Sequence, residues 1–99
     1  MLDLSLNQIT AFHVGSFKDL QNLETLLLDG NRIVYILKDT FAGLDNLKKL
    51  GMSENKVTFI NVKAFRHMRR LELEQSAELR LEKNPIERVR IIDGIVYFD

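Results

Sequence analysis

Residues 23–46 read LETLLLDGNRIVYILKDTFAGLDN, and residues 47–70 read LKKLGMSENKVTFINVKAFRHMRR. Laid over each other, the two stretches agree wherever an apolar side chain or an asparagine matters. Leu26 and Leu28 fall on Leu50 and Met52, Asn31 on Asn55, Ile33 on Val57, Phe41 on Phe65 and Leu44 on Met68. Upstream the same phase returns as Leu2, Leu4, Asn7, Ile9, Phe17 and Leu20. A fixed period of about 20–29 residues with apolar positions in phase predicts a solenoid, in which no unit buries its apolar face alone and neighbours must stack.

In Thr25-Leu26-Leu27-Leu28-Asp29 the alternation sends Leu26 and Leu28 to one face and the other three residues to the opposite face, as a short strand requires. Lys49-Leu50-Gly51-Met52-Ser53 does the same. Such strands stack at about 4.8 Å into a parallel sheet, and the rest of each unit supplies the crossover that parallel pairing needs. The sharp turn after each strand leaves backbone groups to be satisfied. An asparagine side chain carries both donors and an acceptor, so Asn7, Asn31, Asn55 and Asn84 are expected as a ladder bridging adjacent coils. Phe17, Phe41 and Phe65 are expected as a column of rings inside the return segments. Those returns should hold a helical turn or two, with Asp39 or Thr40 as a cap.

This L-x-x-L-x-L-x-x-N-x-I unit, followed by Phe and another apolar residue, resembles the leucine-rich repeat. Its Phe-x-x-Leu half is similar to the 24-residue type of secreted and cell-surface proteins, and the resemblance covers residues 1–89. It implies an α/β solenoid: a short right-handed curved coil with parallel strands on the concave face and short helical or irregular returns on the convex face. The chain then forms one domain, with a partial repeat at 1–22, full repeats at 23–46 and 47–70, an irregular one at 71–89 and a tail at 90–99.

The pattern breaks in three places. Met1 falls in mid-strand with no capping segment before it, which points to a piece of a longer array or to a start codon inside one. Leu6 stands where family members often carry a polar residue. After Leu71 the strand positions would be Glu74 and Ser76; shifting by five residues restores the phase through Leu79, Leu81, Asn84, Ile86 and Val89. Leu71–Gln75 therefore reads as an insertion, expected to lengthen a helix over Val62–Gln75. Ser76 takes a position usually held by Leu, so the repeat should start loosely. Beyond Asn84-Pro85-Ile86, two β-prone runs flank Asp93-Gly94, the strongest short signal for a hairpin. A hairpin of Arg88–Ile92 with Ile95–Asp99 should pack over the open end of the fourth coil, Val89, Ile91, Val96 and Phe98 inward, Arg88, Arg90 and Tyr97 wet.

With 45% hydrophobic and 28% charged residues the chain is too apolar for disorder. Its net charge is zero, which removes any global pull toward nucleic acid or anionic membrane. The charge is uneven: residues 47–70 sum to +6, and 23–46 to −2. Two readings stay open for the basic block, a solvated face or a dock for an acidic partner. There is no cysteine, no asparagine opens an N-x-Ser/Thr sequon, and the N-terminal stretch lacks the basic and apolar regions of a secretory signal.

His13 and His67 are isolated from each other, and no metal, phosphate-loop or nucleophile motif appears. No catalytic residue, metal or cofactor is expected. Register instead marks a surface: Asp3 and Ser5; Thr25, Leu27 and Asp29; Lys49, Gly51 and Ser53; Glu78, Arg80 and Glu82 alternate with the buried leucines. The resemblance implies that this concave ladder binds a protein ligand, as part of a secreted or cell-surface receptor-like protein. The alternatives are a structural or dimerising scaffold that self-associates weakly through open ends, and an intracellular repeat adaptor.

Overall fold

The computed structural model describes residues 1–68, 70, 78–86, 89–92 and 94–98, and for Glu78 the backbone alone. Four strands, β1 (Leu2–Asp3), β2 (Thr25–Leu27), β4 (Lys49–Gly51) and β6 (Glu78–Arg80), form a parallel sheet in the order β1-β2-β4-β6. Leu2 pairs with Leu26, Leu26 with Leu50, and Leu50 with Leu79, so the register steps by 24, 24 and then 29 residues. Between these strands lie β3 (Tyr35–Ile36) and β5 (Phe59–Ile60), which pair with each other as a second, two-stranded parallel sheet. The chain closes on an antiparallel hairpin of β7 (Val89–Ile92) and β8 (Ile95–Phe98).

The core sits in the second and third coils. Leu26, Leu28, Ile33, Ile36, Phe41, Leu44 and Leu47 are fully buried, and Leu50, Met52, Val57, Ile60, Phe65 and Met68 repeat them one coil on. Each such side chain contributes about 1.5–3 kcal/mol by leaving water. Leu2, Leu4, Ile9 and Leu20 of the first coil are half-buried against that core. Phe41 and Phe65 stack with centroids 6.0 Å apart, and Phe17 continues the column at 6.0 Å from Phe41. Phe12 joins it 5.1 Å from Phe17, occupying the position that Ile36 and Ile60 hold in later coils.

After each strand the chain bends through one residue in the left-handed region: Leu6, Gly30, Glu54 and Lys83, at φ 57–70°. Their N–H groups ladder from coil to coil, Leu6 to Asp29 O, Gly30 to Ser53 O and Glu54 to Glu82 O, all at 2.9 Å. The bend tucks the following asparagine inward. Asn55 Nδ2 donates to Leu28 O of the preceding coil and to Met52 O of its own, while its Oδ1 accepts Ile33 N–H. Asn31 and Asn84 repeat that arrangement, and all three are buried. Asn7 departs from it. It is exposed and donates within its own coil, to Leu4 O and Ser5 O.

The returns run as successive turns rather than helix. In the third, Ala64, Arg66 and Met68 donate three residues back to Asn61, Lys63 and Phe65, and the first two returns do likewise. Over Val62–Met68 the expected helix is therefore replaced by turns. Arg70, within the rest of the expected span, is helical, and Arg69, the Leu71–Gln75 insertion and Ser76 lie outside the described residues. Thr40 is buried and its hydroxyl accepts the N–H of Leu37, three residues earlier, so it closes a turn instead of capping a helix.

Pro85 changes the end of the solenoid. Arg32 and Lys56, its counterparts, donate N–H to Ile9 O and Ile33 O. Proline has no N–H to give, and Ile86 N–H reaches back to Val57 O instead. The equivalent groups of Ile33 and Val57 feed the asparagine of the next coil. Among the described residues, the ladder thus stops at Asn84. The hairpin follows and meets the third coil's return, where Val96 N–H donates to Val62 O at 2.7 Å, while its Phe98 shares a cavity lining with Ile86 of the fourth coil. Val89 takes the position that Ile36 and Ile60 hold in the two coils before, and the hairpin starts there. Val96 is buried, Val89 and Ile91 are half-buried, and Arg90 and Tyr97 are exposed. Phe98, expected inside, remains 49% exposed. Arg88, Asp93 and Asp99 lie outside the described residues.

Candidate partner surface

The outward face of the four-stranded sheet is built by residues alternating with Leu26, Leu50 and Leu79. Thr25 pairs in register with Lys49, and Leu27 with Gly51. All but Gly51 are half-buried, Leu27 included. Gly51 is buried because two side chains roof it. A Cβ there would meet Asp29 Oδ2 at 2.5 Å and Arg80 Nη2 at 2.8 Å.

Those two atoms form an ion pair of 2.9 Å that joins the second coil to the fourth across the third. Asp29 also accepts Ser53 N–H through Oδ1 at 2.8 Å. Ser53 in turn donates its hydroxyl to Glu82 Oε2 at 2.6 Å, and this bond, ahead of other causes, holds the Glu82 carboxyl below its ordinary value. Asp3 is lowered in the same sense, first by the N–H of Ser5 and then by its hydroxyl. Four of the outward residues, Asp29, Ser53, Arg80 and Glu82, are therefore one internal network. Thr25, Leu27 and Lys49 stand beside it toward the start of the strands.

Part of the +6 block contacts the acidic coil before it. Lys48 lies 3.0 Å and Arg70 3.8 Å from Glu24, and Arg66 lies 3.7 Å from Asp39. His13 and His67 are both exposed, and His67 Nε2 accepts from Arg66 Nε. Among the described residues no helix is long and apolar enough to cross a membrane.

A coil of parallel strands, left-handed bends and buried asparagines, repeated in register, defines a class of protein before any comparison. Set against known families, the sequence matches leucine rich repeat over residues 1–33 and 21–86. The chain belongs to the leucine-rich repeat family. Repeats of this family commonly mediate protein binding and are generally not enzymes. No curated protein matches the sequence.

Proposed function

We propose that the protein is a protein-binding recognition module that takes its ligand on the outward, concave face of the four-stranded sheet, within a larger secreted or cell-surface receptor-like protein. The observation carrying this reading is the row of side chains on that face. Thr25, Leu27 and Lys49 offer one apolar contact between polar ones, beside a network whose charges are already fixed in place. Apolar contact supplies affinity, and preset charges select the partner with little further ordering. The 24-residue unit with its Phe-x-x-Leu half supports the extracellular setting.

The test is a binding screen of the purified chain against arrayed extracellular protein domains, repeated with Leu27→Glu, Lys49→Glu and, on a return, Lys18→Glu. The sheet variants should lose about tenfold or more in affinity, and Lys18→Glu little. A ligand lost with Lys18→Glu and kept by both sheet variants would overturn the reading.

A further inference from the structure

The flank formed by β3 and β5 presents apolar side chains that the fold does not use. Tyr35 and Phe59 pair in register on neighbouring strands and are 61% and 45% exposed, while Ile36 and Ile60 beside them point into the core. Leu37, Val62 and Phe98 are also exposed. Phe59, Val62 and Phe98 line one cavity of about 460 Å³ with Ile60 and Ile86, so the strip continues from the third coil onto the hairpin. A contiguous exposed apolar strip of this kind marks an interaction surface more often than scattered single residues do.

Its borders are basic. Arg32 and Lys56 precede the two aromatic rungs by three residues; Lys38 and Lys63 follow them by three and four. On the side of Arg32 and Lys56 that is about 10 Å of extended chain, and Lys38 and Lys63 lie in the turns that follow the strands. All four are exposed, and among the described residues none is ion-paired. Asp39, next in sequence to Lys38, is held by Arg66. Among the described residues, the strip therefore has cations on both sides and no free carboxylate of its own to answer them.

We infer that this flank docks an extended acidic peptide segment carrying apolar side chains. A leucine or phenylalanine of the segment fills the cavity, the chain crosses Tyr35 and Phe59, and flanking carboxylates meet Arg32 and Lys56 on one side and Lys38 and Lys63 on the other. The cavity's lining favours a hydrocarbon side chain over the polar edge of a base, and its size lies within the ordinary range of about 300–1,000 Å³ for a small ligand group. The surface is separate from the sheet face, so its failure leaves the reading above standing.

The experiment is an NMR and fluorescence titration of the whole chain with a labelled short peptide holding a Leu-Phe pair between acidic flanks. A matched peptide with basic flanks, an oligothymidine and phosphatidylserine vesicles serve as competing probes. The acidic peptide should bind about tenfold or more tightly than the basic one and weaken with added salt. Its shifts should map to Tyr35, Phe59, Val62 and Phe98. Arg32→Glu with Lys56→Glu should abolish that preference with the circular dichroism unchanged, and Tyr35→Ser should weaken both peptides. Equal binding of the two peptides, shifts confined to Thr25–Asp29, tighter binding of oligothymidine or vesicles, or burial of the strip by a second copy in sedimentation would each overturn the inference.

Discussion

The Arg80 guanidinium reaches over Gly51 to hold the Asp29 carboxylate at 2.9 Å, tying together coils that are not neighbours. Both side chains are about a quarter to a third exposed, so the pair is partly shielded and not buried. Its geometry depends on the one residue of the row that lacks a side chain.

Gly51→Ala should therefore break the pair with little damage to the sheet. The new Cβ would displace two side-chain ends and leave the backbone in place. A partly exposed pair of this kind is worth about 1 kcal/mol. Urea denaturation should show a loss of that order, and Asp29→Asn in the Gly51→Ala background should add little, because the pair is already gone. Fully additive losses would mean that Arg80 and Asp29 act independently.

The asparagines should divide sharply by position. Asn55→Ala strands buried partners, Ile33 N–H and Leu28 O among them, and should cost about 3 kcal/mol or more. Asn7→Ala removes only exposed bonds within one coil and should cost under about 1 kcal/mol. Equal losses in chemical denaturation would contradict the ladder described above.

Gly94 turns the hairpin at φ 75°, and a Cβ there would lie 3.1 Å from Arg66 Cα. Gly94→Val meets both a left-handed backbone and a neighbouring main chain, at about 1–3 kcal/mol. Exchange of the Val96 amide, which donates to Val62 O, should accelerate markedly in the variant. An amide that already exchanges like free chain in the unmutated protein would rule out the docked hairpin.

Glu24 gives a pH dependence of known sign. The hydrogen bond from Lys48 is the main cause, with the charges of Lys48 and Arg70 behind it, and it holds the carboxyl below 4.5. A depressed folded-state value contributes stability above about pH 4.5 and loses it as the pH falls through that value. Glu24→Gln should be the less stable protein near neutrality, and the gap should close on acidification. A Glu24 titration midpoint above 4.5 would contradict the assignment.

The coils were legible in the sequence because burial leaves a periodic imprint: Leu26, Leu28, Ile33 and Phe41 have no tolerance for polar substitution. The hairpin was legible because Asp-Gly between β-prone runs is a local signal. Two-residue strands such as Tyr35–Ile36 are too short to show alternation, and they went unread. Phe12 hid behind the aliphatic residues that share its position. The hold of Arg80 on Asp29 depends on side chains meeting 51 residues apart, which no local pattern encodes. Thr40 looked like a helix cap because a hydroxyl that closes a turn and one that caps a helix present the same residue type.

The register of β6 decides which side chains the sheet presents, since a shift by an odd number of residues exchanges its two faces. Nuclear Overhauser contacts across that strand pair test it directly. The account predicts cross-strand contacts between Leu50 and Leu79 and between Gly51 and Arg80. Contacts pairing Leu50 with Glu74, as an unbroken 24-residue period would require, would contradict it and remove Arg80 from the outward face.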